Sequence, residues 1–414
     1  MKIKQQHIDH ICNRFASMQT KEDFVVLLNE AKTIFYEKDC EPIPLRNLTY
    51  YANPRLCKTR YMQFGIKKKS GGERIINAPV KGLKSILRIL NFVLQCVYEP
   101  HKAAMGFVWN KSIIDNAKVH IGSHYVYNID LKDFFHSFDR NRVKMGFLSA
   151  PFNLNGEREP LAFLIACLCT HPFEVNGEIK TVLPQGSPTS PTITNILCNK
   201  FDRRLTGLAK RFGLKYSRYA DDITFSSFHN IYSNEEFLTE LSRIITEDQL
   251  LKINLDKTRL QQAFCQQEVT GLVVNEKANV RTKYIKQIRM WLYYWEKYGY
   301  PKAQNIFLRD YKKEKNHIKK GMPSLENVLS GKLDFLRMVK GTADNTYTTL
   351  SKRFEKLVSR DNPRFITKVL DIWEKEGIEK AMEAYYAKDC KLMLTNNIRL
   401  RTIRTTSGWT LSLF

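Results

Sequence analysis

The sequence predicts an α+β fold, in which antiparallel strand pairs form a sheet and amphipathic helices cover it. Apolar residues recur at helical spacing over about 79–98, 160–171 and 190–212, and short strand-like stretches lie between them. The 414 residues, 43% of them hydrophobic, suffice for two or three domains with a sizeable core. No run of eighteen apolar residues occurs, so we expect no membrane span, and nine scattered Cys favour the reducing cytoplasm.

The charge balance indicates a polyanionic partner. Lys and Arg number 66 against 42 Asp and Glu, a formal net charge of +24, which favours nucleic acid first and an anionic membrane surface second. Positions 281–320 hold twelve Lys or Arg and three acidic residues, interleaved with Tyr and Trp. This pattern predicts a nucleic-acid track with Lys283, Lys286 and Arg289 as contacts. A solvated basic face over an aromatic core is the alternative, and both can hold on opposite faces.

The first part of the chain is predicted to be helical up to about residue 60, and we assign no chemistry to it. Residues 64–76 then predict a β-hairpin around a Ser-Gly-Gly turn, with cations on both arms, among them Lys68 and Arg74. A solvated hairpin is the simpler interpretation. The functional one is a cationic finger that folds over a triphosphate, where Arg grips phosphate oxygens in pairs.

A carboxylate stands at the end of a predicted buried strand. Residues 125–129 form this strand and Asp130 follows it, a position where a metal ligand is rigidly aimed. Phe134 and Phe135 come next, and we expect at least one of them to pack in the core.

A loop rich in Pro, Gly and Ser occupies residues 183–191, directly before a helix, and contains Gln185. Such a loop is rigid and lets the backbone come close to a ligand. The free N–H groups at the following helix start favour an anionic or polar group.

The stretch Tyr219-Ala220-Asp221-Asp222 lies between two strand-like pieces. Two adjacent carboxylates repel each other by roughly 1–4 kcal/mol. An isolated pair most often caps a turn or faces solvent, but strands that hold the pair together suggest a divalent cation. With Asp130 as third carboxylate, the set suits two-metal nucleotidyl transfer, which needs two cations about 3.5–4 Å apart.

The order of these parts matches a right-hand polymerase fold with fingers, an antiparallel palm and a helical thumb. The predicted divisions are a helical extension (1–60), fingers (61–125), palm (126–280, with a fingers insertion at about 140–182), thumb (281–357) and a C-terminal appendage (358–414). Residues 398–404 alternate as a basic edge strand would.

Five stretches in order resemble the motifs of bacterial retron-type reverse transcriptases, which are related to group II intron enzymes. They are residues 128–135, the Pro-Gln-Gly loop 183–191, the YxDD box 219–222, and the stretches 253–257 and 269–275.

The resemblance implies an RNA-directed DNA polymerase that uses two Mg²⁺, with Mn²⁺ as an alternative. The implied metal ligands are Asp130 and Asp221, supported by Asp222. The other implied roles are triphosphate contacts (Lys68, Arg74), nucleotide or substrate contacts (Gln185, Tyr219) and a proton donor to pyrophosphate (Lys257).

Phe135 specifies the product within this resemblance. It follows Asp130 by five residues, where the family places a bulky ring under the sugar. Such a ring would clash with a 2′-hydroxyl, which implies DNA rather than RNA as the product.

Two short signatures resemble the retron branch. Residues 116–120 match NAxxH and residues 269–271 match VTG, which is associated with recognition of the cognate structured RNA. The implied RNA-binding residues are Asn116, His120, Val269, Thr270 and Gly271. For His120 taken alone, a core or surface histidine is the simpler interpretation.

The expected partners are a non-coding RNA template, a DNA product, dNTPs and a separate effector protein, in antiphage defence. One alternative is a related defence enzyme that makes long, repetitive or template-poor DNA. Another is an RNA-binding scaffold with incidental polymerase activity. How synthesis is primed stays open.

Overall fold

The computed structural model describes residues 3–67, 71–175, 177–314, 321–360, 370 and 372–386. The chain divides into two compact units, Met1–Arg281 and Thr282–Phe414. Lys68 and the expected edge strand at 398–404 lie outside the described residues.

The first unit begins with three helices, α1 (Gln5–Ser17), α2 (Lys21–Tyr36) and α3 (Leu45–Ala52). Thr20 caps α2 in a capping box with Asp23, which satisfies backbone N–H groups at the helix start. The apolar faces of α1 and α2 pack on α4 (Lys81–Val97). Pro79, expected in the first turn of α4, instead ends the preceding strand, and the helix starts two residues later.

The predicted cationic hairpin is present. It consists of β1 (Tyr61–Lys67) and β2 (Glu73–Pro79), which pair antiparallel. Gly71 and Gly72 both adopt positive φ, the conformation that glycine allows without steric cost.

The central sheet has four antiparallel strands in the order β6-β7-β3-β8. They are β3 (Tyr125–Lys132), β6 (Lys215–Tyr219), β7 (Asp222–Ser227) and β8 (Lys252–Gln262). Ile129 lies opposite Ile223 and both are buried, whereas Asp130 lies opposite Asp222. Because successive side chains of a strand point to opposite faces, the carboxylates share the face that the core does not occupy.

Further helices and two small hairpins complete this unit. The helices are α5 (Ile113–Val119), α6 (Arg140–Leu148), α7 (Glu159–Cys169), α8 (Ser190–Leu197), α9 (Asn199–Arg211) and α10 (Glu235–Ser242). The hairpins are β4 (His171–Val175) with β5 (Glu178–Val182), and β9 (Glu268–Val269) with β10 (Leu272–Val273). One continuous apolar core joins most of these helices to the buried face of the sheet.

The second unit is helical wherever the structure describes secondary structure in it. Its helices are α11 (Thr282–Tyr298), α12 (Tyr300–Glu314), α13 (Leu325–Lys340), α14 (Asn345–Arg360), residues 372–376 and α15 (Ile378–Tyr386). Trp291, Trp295 and Phe307 form part of its core. Among the described residues, no helix combines the length and the apolar character that a membrane span requires.

Helices beside antiparallel sheets confirm the predicted α+β class. Asp130 lies near the end of β3 and Asp222 at the start of β7, so both lie at the same end of the central sheet, and the candidate site is there.

Truncation of a core residue should test the packing. Leu90 on α4 is completely buried, so Leu90→Ala should lower the free energy of unfolding by about 2–5 kcal/mol through lost contacts and a cavity. Arg88→Ala, exposed on the same helix, should change it by less than about 0.5 kcal/mol. Urea unfolding of both variants measures this. Equal effects of the two substitutions would contradict the described core.

Candidate active site

Three carboxylates meet where β3 and β7 run side by side. Asp130 pairs with Asp222 across the two strands, and the backbone N–H of Leu131 donates to the carbonyl of Asp221 at 3.1 Å. The sheet register therefore brings together residues that are about ninety positions apart in the sequence, as the motif pattern predicts.

The turn that carries Asp221 is tight. Tyr219 pairs with Asp222, so Ala220 and Asp221 alone connect β6 to β7, and Ala220 has φ +58°. Gly106 lies against this turn: a Cβ at Gly106 would stand 2.7 Å from the backbone nitrogen of Ala220. A side chain at Gly106 would therefore displace the turn, which explains the glycine.

Asp130 has two direct partners from β8. Asn254 donates to its Oδ2 at 2.8 Å, and the ammonium of Lys257 lies 3.0 Å from both carboxylate oxygens. The pairing of β3 with β8 is interrupted, since Asn128 pairs with Arg259 while Asp130 pairs with Asn254. The extra residues of β8 form a bulge, which turns the Lys257 side chain toward Asp130.

The electrostatics of the trio oppose full ionisation. Desolvation by surrounding protein, followed by the charges of Asp221 and Asp130, raises the pKa of Asp222 to about 7. Desolvation also raises the pKa of Asp221, with Asp130 as a smaller cause, while Lys257 and Arg74 act in the opposite direction. Part of Asp222 remains exposed, so solvent screens its share of the repulsion.

The donor set fits a hard divalent cation, because carboxylate oxygens are the ligands that Mg²⁺ and Mn²⁺ prefer. Repulsion within the trio supplies the reason to bind one. In the described part of the chain, no three His, Cys, Asp or Glu side chains are already arranged as the ligands of one metal ion. Lys257 supplies the positive charge at Asp130 instead.

Two of the predicted nucleotide contacts, Arg74 and Gln185, lie on the cationic hairpin and on the Pro-Gln-Gly loop that is bonded to it. Arg74 is exposed on β2, and its charge acts on Asp221. Gln185 is half-buried, and its carbonyl accepts a hydrogen bond from the Asn77 backbone at 2.8 Å, which ties the Pro-Gln-Gly loop to the hairpin. Gly186 has φ +124°, and a Cβ there would stand 2.7 Å from the Asn77 carbonyl.

The aromatic pair divides its roles. Phe134 is buried in the core, as expected for one of the two rings, while Phe135 is half-buried. The rings contact each other edge to face, with centroids 5.6 Å apart. Tyr219 is also half-buried, and its ring lies 6.2 Å from that of Phe107.

Asn116, His120 and Val269 have buried side chains, and direct contact of these residues with RNA stays a prediction. His120 contacts Ser226 at 2.8 Å and Ser217 at 2.7 Å, and Ser217 donates to Asn116 at 2.6 Å.

This network also fixes the state of the imidazole. The single hydroxyl proton of Ser217 goes to Asn116, so Nε2 of His120 donates to Ser217, and in a neutral ring Nδ1 then accepts from Ser226. Burial lowers the pKa of His120 to about 3, in agreement with a neutral ring. The NAxxH residues Asn116 and His120 thus connect α5 to β6 and β7 of the central sheet.

The two retron-like signatures meet in space. Asn116 donates to the hydroxyl of Thr270 at 3.5 Å, and Thr270 donates to the carbonyl of Ile113 at 3.4 Å. Thr270 and Gly271 form the two-residue turn of the β9–β10 hairpin, both at positive φ, and Gly271 is exposed. Of the five residues, only this turn offers surface to an RNA.

The basic track lies on α11. Lys283, Lys286 and Arg289 are exposed, whereas Trp291 and Trp295 are buried in the second unit. Exposed cations and buried aromatic residues therefore lie on opposite faces of one helix, an arrangement that is compatible with both interpretations of this segment. Direct RNA contact by the three cations stays a prediction.

Asn254 and Gly106 are part of the site but were not predicted from the sequence. Asn254 falls inside a recognised stretch, yet only the strand register shows that it reaches Asp130. Gly106 carries no local signal, since its importance depends on a turn more than a hundred residues away.

Comparison with known proteins gives consistent matches. The reverse transcriptase (RNA-dependent DNA polymerase) family matches residues 66–275. Retron Mx162 reverse transcriptase from Myxococcus xanthus is 40% identical over 239 residues, 52% of this chain and 47% of that protein. Retron Mx65 reverse transcriptase from the same organism is 37% identical over 232 residues, 54% and 53% of the two chains.

Retron Ec86 reverse transcriptase from Escherichia coli is 33% identical over 253 residues, 59% of this chain and 71% of that protein. The chain spans about half the length of the two Myxococcus xanthus relatives.

The repulsion among the carboxylates should appear as a pH dependence of stability. Folded Asp222 holds its proton up to about pH 7, whereas the unfolded chain releases it near 3.8, so the folded state binds the extra proton between these values. With divalent cations chelated, stability should therefore fall as the pH rises through this window, by a modest amount because solvent screens the group. Asp222→Asn should flatten the slope.

Thermal midpoints of both proteins in EDTA, measured between about pH 5 and pH 8, check this expectation. Added Mg²⁺ at the upper end should raise the wild-type midpoint more than that of the variant. If the thermal midpoints of the two proteins changed with pH in parallel, the pKa of Asp222 would not be raised in the folded state.

Proposed function

Because the chain belongs to the reverse transcriptase (RNA-dependent DNA polymerase) family, as its motifs predicted, we propose that it is an RNA-directed DNA polymerase of the retron type. It would copy a cognate structured non-coding RNA into DNA from dNTPs. The single observation that carries this proposal is that the strand pairing places Asp130, Asp221 and Asp222 at one end of the central sheet, within the matched region.

Asp130 and Asp221 would hold two Mg²⁺, or Mn²⁺, with Asp222 in support. When bound, these ions would activate the primer 3′-hydroxyl and stabilise the leaving pyrophosphate. The raised pKa values of Asp221 and Asp222 support this assignment, because nearby cations would relieve the cost of ionising both.

The remaining residues would bind and orient the nucleotide. Arg74 and Lys68 would bind the triphosphate from the hairpin. Gln185 and Tyr219 would contact the nucleotide from the loop and from the turn. In support, the Gln185 carbonyl accepts a hydrogen bond from the backbone of Asn77, on the same strand of the hairpin as Arg74.

Lys257 would donate a proton to the leaving pyrophosphate. Its ammonium contacts both oxygens of Asp130, while the side chain is 59% exposed. An exposed lysine on a bulge can leave Asp130 without disrupting the core. Lys257 would therefore exchange one anionic partner for another during the cycle.

RNA would bind through the Thr270–Gly271 turn and through Lys283, Lys286 and Arg289 on α11. We further propose that the enzyme acts in the cytoplasm in antiphage defence, together with a separate effector protein. The names of the retron relatives support the RNA partner, and the excess of 66 Lys and Arg over 42 Asp and Glu supports a polyanionic one.

Replacement of a metal ligand tests the reaction. Asp221→Asn keeps the shape of the turn but removes the negative charge of a metal ligand. Incorporation of labelled dNTPs should therefore fall at least about a hundredfold, and each factor of ten corresponds to about 1.4 kcal/mol of lost transition-state stabilisation. Asp256→Asn, which changes an exposed acid on β8, should retain wild-type activity.

The assay uses purified protein with a primer annealed to an RNA template. Undiminished incorporation by Asp221→Asn would remove the palm assignment. Equal losses in both variants would point to a general effect of charge and not to a ligand.

Phe135 should exclude ribonucleotides. The half-buried ring would lie under the sugar, so Phe135→Ala should open space for a 2′-hydroxyl and raise the ratio of rNTP to dNTP incorporation by at least about tenfold, the effect of about 1.4 kcal/mol. Primer extension with each nucleotide class measures the ratio. Phe107→Ala, which removes the ring that lies 6.2 Å from that of Tyr219, is the matched control and should leave the ratio unchanged. Unaltered discrimination in Phe135→Ala would remove this assignment.

A further inference from the structure

Arg218 lies on β6, two residues before Ala220 of the carboxylate turn, and is completely buried, as is its partner Asp202 on α9. A buried charge pair is costly to desolvate, and apolar residues often stabilise a core equally well. The position of this pair therefore calls for a reason other than stability.

The guanidinium of Arg218 connects three parts of the fold. Its Nε and Nη2 donate to the two oxygens of Asp202 at 2.8 and 2.7 Å. Nη2 also donates to Asn195 on α8 at 3.1 Å. The remaining nitrogen, Nη1, donates to the carbonyl of Ala220 at 3.1 Å, inside the turn that joins β6 to β7 and contains Asp221.

Asp202 and Asn195 are themselves fixed. The hydroxyl of Tyr216 donates to Asp202 at 2.7 Å. The amide of Asn195 donates to the carbonyl of Gly106 at 2.9 Å, and Gly106 is the residue that closes against the Ala220 backbone. The guanidinium of Arg218 thus hydrogen-bonds to the turn on one side, and the backbone of Gly106 packs closely against it on the other.

The backbone of Arg218 is held as well. Its N–H donates to the carbonyl of Ala103, and its carbonyl accepts from the N–H of Met105, both at 2.8 Å. The guanidinium therefore extends from a fixed point. Ala220 adopts φ +58°, which is unfavourable for a residue with a side chain, and a charge-assisted bond to its carbonyl stabilises that conformation.

We propose that Arg218, oriented by Asp202, is a positioning residue that fixes the Ala220 turn and thereby the placement of Asp221 and Asp222 for metal binding. This inference rests on the proposed polymerase function for its kinetic consequence. Arg218 does not touch nucleotide in this role; it acts through the turn.

The test separates positioning from folding with a neutral double variant, Arg218→Met with Asp202→Asn. No buried charge is left unpaired, and the substituted amide still offers an oxygen to the Tyr216 hydroxyl. Arg218→Lys keeps the charge opposite Asp202 but lacks the planar fork that reaches Asp202, Asn195 and Ala220 together. Arg142→Met, which removes another guanidinium whose donors go to Gln249, is the control.

Two readouts are compared in variants whose circular dichroism and thermal midpoint match a folded protein. Primer extension gives kcat and the KM for dNTP, and electron paramagnetic resonance titration gives the Kd for Mn²⁺ without any reaction. The double variant should lose at least about tenfold in kcat with KM within about twofold, and its Kd for Mn²⁺ should rise at least about tenfold, which is about 1.4 kcal/mol. Arg218→Lys should show the same pattern to a smaller degree, and Arg142→Met should match wild type.

A folded double variant with wild-type kcat and Mn²⁺ affinity overturns the positioning role. If the double variant does not fold, Arg218→Lys decides by the same criteria. Wild-type protein that binds Mn²⁺ but incorporates no dNTP overturns the proposed function alone, and the Mn²⁺ affinities of the variants then still decide the role of Arg218.

Discussion

Mutual repulsion among three carboxylates constrains the centre of this protein. Asp130 and Asp222 face each other across paired strands, and Asp221 occupies the turn between β6 and β7. Burial and the neighbouring negative charges raise the pKa values of Asp221 and Asp222, so the folded chain carries a cost that a cation can relieve. The ammonium of Lys257 offsets part of this repulsion through its ion pair with Asp130. Uncharged residues at these three positions would avoid the repulsion, so the carboxylates are explained by function and not by stability.

The rest of the first unit supports the end of the central sheet that carries the three carboxylates. The antiparallel register sends Ile129 and Ile223 into the core and the acids to the other face. Hydrogen bonds of buried polar groups hold the same strands from behind, with His120 bound between Ser217 and Ser226. Buried polar networks of this type are costly unless every member has a partner. Their satisfied geometry therefore fits a scaffold that must keep one conformation.

Much of this arrangement follows from the sequence because it depends on local patterns. Strand alternation, the Pro-Gln-Gly loop and the doubled Asp are short-range signals, and they predicted the α+β class and the approach of Asp130 to Asp221 and Asp222. Short-range signals do not give register or burial. The sequence could not show that Asn254 lies opposite Asp130, or that Gly106 closes against Ala220. For the same reason the signature that predicts RNA contact by Asn116 and His120 gives no sign that both side chains are buried against the central sheet.

The most direct test of the central claim is anomalous diffraction from crystals of the protein grown with Mn²⁺, a primer–template duplex and an incoming nucleotide that cannot react. The account predicts two Mn²⁺ peaks about 3.5–4 Å apart, in contact with Asp130 and Asp221, and a Lys257 ammonium that has left Asp130. A structure with bound nucleotide in which Lys257 still contacts both oxygens of Asp130 and no peak lies at the carboxylates would contradict it.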